Sequence, residues 1–348
     1  MIRYNPKPFL AALLLLTLLM ALSGCSKPIE LPEVPPLPAE AEALLQRPEL
    51  TAKHPNLFDT GLQLTRLDGE RIRFRLLSPE ATGHYPVLLF SHGNWSHQLE
   101  YDALITHWAQ QGYIVLSMDH RDCCGMARGI VAALRFGNVR LIEQRVQHLA
   151  LLLNQPAPWL SLLPAGVKAN LDQVAVTGHS FGAYSAQLFQ GATFYDPAIK
   201  AQRPVDVQLS NPAAIRAVVA ISPPGPMFDE ITENSWDNLQ GPVLVTTGSW
   251  DVEPRFFPDY RLHLMSHQKA LPGSQYGLVL AGADHYFGRL IGRTGREEQA
   301  QQVQFQLLLL ASTAFLDAYL KGDPKAQQFL QSDELTEITQ GFASLSLR

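Results

Sequence analysis

The residues best suited to chemistry are Gly178-His179-Ser180-Phe181-Gly182, a G-x-S-x-G sequence. A β-branched run enters it and small, helix-compatible residues leave it. That context predicts a strand, a sharp turn carrying Ser180, and a helix. Glycine on either side removes a Cβ where strand and helix approach closely. A serine hydroxyl is a weak nucleophile near neutral pH. It needs a base to take its proton, and the base needs an acid to orient it. Asp251 and His285 are the candidates, each just beyond an apolar strand and a glycine-containing turn. Glu253 and Asp259, deeper in the same loop, and Asp229 and Glu230, one strand earlier, are rival acids. Asp284 adjoins His285, so its side chain should diverge toward solvent. Charge building on a carbonyl oxygen needs backbone N–H donors. Phe181, directly after the serine, and Asn94, in Phe90-Ser91-His92-Gly93-Asn94-Trp95, are the expected pair. This set suits two-step acyl transfer.

These side chains require strand tips. Residues 61–67 and 71–77 read as a hairpin turning at Asp68-Gly69. Ile72, Phe74 and Leu76 alternate with Arg71, Arg73 and Arg75, as on a sheet edge with one wet face. Beyond it, continuous apolar runs (86–91, 113–118, 174–177, 215–221, 243–246, 278–280) alternate with helical segments (about 99–111, 139–154, 183–190 and 297–320). That rhythm predicts a mostly parallel, doubly wound sheet covered on both faces, preceded by an antiparallel hairpin. Residues 125–138, 191–212 and 223–240 read as long connections. The first and third should wall the site, with Trp95, Met227, Phe228 and Trp236 as candidate apolar pocket residues, or as satellite core.

Phe90-Ser91-His92-Gly93, Gly112-Tyr113-Ile114-Val115, Asp119-His120-Arg121-Asp122 and Gly178–Gly182 together resemble the α/β-hydrolase superfamily. Within it they resemble the platelet-activating-factor acetylhydrolase group and the bacterial dienelactone-hydrolase-like proteins. The stretch 314–323 looks like the closing helix of the latter. The resemblance implies the α/β-hydrolase fold and a triad in the order Ser180, Asp251, His285. It also implies carboxylic-ester hydrolysis without cofactor or metal. The chain departs from both groups. No carboxylate follows Ala220-Ile221-Ser222-Pro223, where the acetylhydrolases place their acid, and the dienelactone-hydrolase nucleophile is a cysteine where Ser180 stands. A thioesterase or peptidase on the same scaffold, or a non-catalytic lipid-anchored binding protein, are the alternatives.

The N-terminus reads as a separate piece. Arg3 and Lys7 precede a short apolar run that ends in Leu22-Ser23-Gly24-Cys25, which resembles a bacterial lipobox. The resemblance implies a lipoprotein signal peptide (1–24), acylation of Cys25, and retention at the outer membrane because Ser26 follows. Proline-rich residues 25–50 read as a tether, and 51–348 as one catalytic domain. Cys123 and Cys124 are adjacent; a vicinal disulfide competes with a reading as two partly buried thiols, which is favoured because the ring is strained. With 348 residues, a net charge of −5 and no basic cluster along the chain, nucleic acid is not an expected partner. The expected partners are a small-molecule or lipid-like ester and, through the anchor alone, a membrane. Acyl-chain length, alcohol and oligomeric state are not legible.

Overall fold

A computed structural model describes residues 29–348, apart from Arg255. The signal-peptide and Cys25 expectations lie outside the described residues. The hairpin predicted around Asp68-Gly69 is present as β1 (Leu57–Leu67) and β2 (Glu70–Pro79). The apolar runs become β3 (Gly83–Ser91), β4 (Ile114–Asp119) and β5 (Val167–His179). A small hairpin, β6 (Phe194–Asp196) and β7 (Ala201–Arg203), follows, then β8 (Ile215–Ile221), β9 (Val243–Gly248), β10 (Gln275–Leu280) and β11 (Ala343–Leu347). Nine strands form one sheet in the order β1-β2-β4-β3-β5-β8-β9-β10-β11. From β4 to β10 neighbouring strands run parallel, and β1, β2 and β11 are antiparallel to their neighbours. This is the α/β-hydrolase fold. The closing strand β11 carries only five residues of weak alternation, ASLSL, and does not stand out in the sequence.

Apolar side chains on both sheet faces explain the continuous runs. One core layer packs α1 (Asp102–Gln110) against the sheet through Leu104, Ile105 and Trp108. The opposite layer uses Ile142, Val146 and Leu149 of a 17-residue helix, Asn138–Asn154, and Ala183 and Tyr184 of the helix after Ser180. One expectation about the elements changes. Residues 125–138, read as a loop, contain an 11-residue helix, α2 (Met126–Phe136), followed by α3 (Asn138–Asn154). Gly125 and Gly137, both at positive φ, set its ends and were the punctuation that read as a loop. The helix after Ser180 is α4 (Phe181–Gln187), and the last long helix is α5 (Gln302–Leu316), extended by a wide turn, Asp317–Lys321. α5 is apolar enough to span a membrane by composition, yet most of it is buried as a core helix in the first layer. Within the stretch that reads as a tether, residues 32–50 lie against the domain. A tight helical segment, Ala39–Gln46, buries Ala41 and Leu44 in the core layer of α5, and Trp250 Nε1 donates to the Pro32 carbonyl (2.9 Å).

Candidate active site

β5 ends at His179 and α4 begins at Phe181, so Ser180 alone makes the turn between them. Its φ of 54° and ψ of −125° lie where a non-glycine residue is strained. The flanking glycines hold it there. A Cβ on Gly178 would sit 2.4 Å from the carbonyl carbon and oxygen of Gly182, and one on Gly182 would sit 2.0 Å from the Ser91 carbonyl oxygen. Those obstacles are backbone and cannot rotate away. Ser180 N–H donates to the Ile221 carbonyl of β8 (2.8 Å), which pins the turn to the neighbouring strand tip.

Asp251 follows the tip of β9 and is buried. His285 Nδ1 lies 2.8 Å from Asp251 Oδ1. A carboxylate only accepts, so Nδ1 carries the proton and Nε2 carries the lone pair. Thr247 Oγ1 donates to the other carboxylate oxygen at 3.0 Å. Among the described residues neither Ser180 Oγ nor His285 Nε2 has a hydrogen-bond partner; serine–histidine contacts are often loose before substrate binds. The rival acids stand elsewhere. Asp229 is exposed, Glu230 accepts from Asn138 Nδ2, and Asp259 accepts from the Arg261 backbone. Asp284 is half-buried, and its Oδ1 accepts the amides of Tyr286 (2.8 Å) and Gly288 (2.9 Å), which shapes the turn after His285.

Asp251 has a second imidazole that sequence reasoning missed. His263 Nε2 lies 3.1 Å from Asp251 Oδ1, with its N–H off the line to that oxygen, so the contact is an ion pair more than a hydrogen bond. Nδ1 of His263 faces the Pro223 carbonyl at 2.7 Å. Both neighbours are acceptors, and this arrangement favours the imidazolium. Burial alone would lower the His263 pKa, but the carboxylate outweighs it and the pKa is raised. For Asp251, burial pushes upward, and the two histidines outweigh it and hold the carboxyl well below its ordinary value. Distance in sequence and a local Arg261-Leu262-His263-Leu264 context gave no signal for this role.

The loop after β3 is braced from beneath. Arg145 on α3 is buried and pairs with buried Asp122 (Nη2 to Oδ2 2.6 Å, Nε to Oδ1 3.2 Å). The same guanidinium donates to the His92 carbonyl (2.7 Å) and stacks over the Phe181 ring (4.7 Å). It therefore ties both expected oxyanion segments to one rigid group. A relay joins that loop to His285: Gly93 N–H donates to Tyr101 Oη (2.9 Å), Tyr101 donates to His179 Nδ1 (2.9 Å), and His179 Nε2–H donates to the His285 carbonyl (2.8 Å). Burial keeps His179 neutral, with its pKa well below the ordinary value, as this chain of donors requires. Among the described residues the backbone amides of Asn94 and Phe181 have no acceptor.

Asn94 and Trp95 line a cleft of about 280 Å³ with Ser96, Glu100, Met126 and Arg293. The cleft is more charged than the apolar pocket expected. Trp95 lies over Gly129 of α2, where a Cβ would come within 1.7 Å of its ring. Trp236 is a core residue instead of a wall: it is fully buried, packs on Tyr184 and donates to Gln187 Oε1 (2.9 Å). Met227 packs on the same core layer, and Phe228 is exposed at φ 56°.

Among the described residues, two groups each bring three potential metal donors within 4.8 Å of one another: Asp251, His263 and His285, and Asp119, Cys123 and Cys124. In the first the donors already engage one another. In the second, Cys123 and Cys124 form a disulfide, against the favoured thiol reading, and offer no thiolate. Backbone bonds explain the pairing's setting: Cys124 N–H donates to the Ser96 carbonyl and Gly125 N–H to that of Trp95, so the cysteine turn is stitched to the cleft loop.

Against protein-family models, residues 71–192 match the model described as Chlorophyllase. The matched segment runs from β2 through the Ser180 elbow and α4. A search of curated proteins finds no match. Fold and family match together support an α/β-hydrolase acting on esters in general.

Proposed function

We propose that the chain is a serine hydrolase that cleaves carboxylic esters through an acyl-enzyme. His285 Nε2 takes the proton of Ser180 Oγ as the oxygen attacks the ester carbonyl. The amides of Asn94 and Phe181 hold the oxyanion; one such donor is typically worth about 3 kcal/mol of barrier. Asp251 fixes the tautomer of His285 and stabilises it when charged. The alcohol leaves with the proton from His285, and water activated by the same nitrogen releases the acid. The observation that carries this reading is the strained Ser180 turn at the tip of β5, beside strand tips that bear a hydrogen-bonded Asp251–His285 pair. Peptide and thioester cleavage use the same intermediate. A side-by-side assay of p-nitrophenyl acetate, an acyl thioester and an acyl anilide tests the assignment: the ester is expected to turn over fastest, and an ester rate below the other two would overturn it. Lipid attachment at Cys25 belongs to the same reading, and loss of membrane fractionation in Cys25→Ala tests it.

A further inference from the structure

We propose that the face formed by α2 and the β1–β2 hairpin docks on an anionic lipid surface. α2 buries only Gly129 and Ala132. Met126, Ile130, Val131 and Leu134 are exposed, Leu134 by 84 %. At 100° per residue these four fall within an arc of roughly 140°, and Arg128 and Arg135 border it. An exposed apolar arc with a basic margin is the pattern of a helix lying in a lipid interface.

The neighbouring surface supplies the matching charge. A cleft of about 570 Å³ between hairpin and helix is lined by Arg66, Arg71, Arg73, Arg121 and Arg128, against two carboxylates, Glu70 and Asp119. Arg121 pairs with Glu70, and Arg73 lies 3.5 Å from Asp119. Arg66, Arg71 and Arg128 have no carboxylate partner among the described residues. Arg66 and Arg71 stand directly opposite each other in the hairpin register, an arrangement that destabilises a strand pair unless something neutralises it. The chain as a whole is net negative, so the concentration is local. At the inner wall, buried His148 Nε2 lies 3.7 Å from Glu70, beyond hydrogen-bond reach. Leu64, exposed beside Arg66, lines the same cleft and carries the apolar surface onto the hairpin.

The combination selects the occupant. A second copy of the chain in a two-fold contact would set unpaired arginines against arginines. A nucleic acid would leave the apolar arc exposed. Headgroup phosphates in the arginine cleft, with Ile130, Val131 and Leu134 among the acyl chains, satisfy both features. Gly125 and Met126 at the start of α2 also line the Asn94 cleft, so docking brings that cleft to the lipid surface. The docking stands whether or not Ser180 hydrolyses esters.

Sedimentation of the full chain with vesicles tests this, using phosphatidylcholine alone or mixed with phosphatidylglycerol. Both proteins compared carry the same N-terminus, so any anchor cancels. Preferential binding to the mixed vesicles, weakening with salt, is expected. The triple variant Arg66→Ala, Arg71→Ala, Arg128→Ala should lose that preference by on the order of 100-fold, about fivefold per arginine. Val131→Asp with Leu134→Asp should weaken binding to both vesicles. Equal binding to both compositions that ignores the arginine changes would overturn the proposal. So would binding of inorganic phosphate in the cleft without vesicle binding, or self-association through α2 in place of vesicle binding.

Discussion

Replacing His263 by glutamine removes the buried cation beside Asp251 while keeping a polar side chain of similar reach. Breaking a buried ion pair by removing one partner typically costs about 3–5 kcal/mol. Here Asp251 keeps His285 and Thr247, so it is not stranded, and a glutamine amide can still reach only one of the two acceptors now served, Asp251 and the Pro223 carbonyl. The expected loss is therefore near the lower end, about 3 kcal/mol. Its pH dependence has a definite sign. His263 has a folded pKa raised above 6.5, so its contribution is fully present below that value and fades as pH rises through the folded value. Asp251 has a lowered pKa, so its contribution is present above 3.8 and fades only as pH falls through the depressed value. The difference in stability between wild type and His263→Gln should be largest between those limits and shrink toward alkaline pH, by about 1.4 kcal/mol for each unit by which the His263 pKa is raised. Denaturant melts of both proteins at matched pH values read this directly. The difference is the informative quantity, because histidines held neutral by burial, such as His92, His120 and His179, add stability that is lost below 6.5 in both proteins. A difference that stays constant from mildly acidic to alkaline pH would refute the charged His263.

Three further outcomes follow from the same geometry. Gly182→Ala forces a methyl against the Ser91 and His92 carbonyl oxygens and should cost about 3 kcal/mol in denaturant melts, at the severe end of overpacking; a loss under 1 kcal/mol (roughly that of a tolerated swap) would mean the elbow can yield. Arg145→Met leaves Asp122 buried without its cation and should destabilise by about 3–5 kcal/mol, whereas the double change Arg145→Met, Asp122→Leu should regain most of it. Additive losses in the double variant would contradict the pairing as the cause. Asp251→Asn should lower kcat for p-nitrophenyl acetate by about four orders of magnitude through the wrong His285 tautomer, with Asp229→Asn near wild type; the reverse ranking would move the acid to the preceding strand.

Much of the fold was readable because continuous apolar runs and the Asp68-Gly69 turn are strong local signals. The glycines of the elbow were readable for the same reason: their role is steric and local. The features that were not legible are those that depend on distant contacts. Nothing near His263 announces that it meets Asp251, and nothing near Arg145 announces that it props the loop after β3. The α2 segment reads as a loop because glycine bounds it at both ends, although Met126, Ile130, Val131 and Leu134 carry a helical spacing that marks it; their arc faces outward, away from the core. For Trp236 the sequence leaves pocket wall and satellite core open, because a large aromatic in a long loop suits either role; full burial with the indole N–H satisfied by Gln187 selects the core.

The most direct test of the central claim is the reactivity of Ser180. A fluorophosphonate probe added to the folded full chain should give a single covalent adduct by intact mass, located on the peptide containing Gly178–Gly182. Ser180→Ala should take no adduct and lose hydrolysis of p-nitrophenyl acetate while unfolding at an unchanged denaturant midpoint. An unmodified wild-type chain, or undiminished turnover by the variant, would contradict a nucleophilic Ser180.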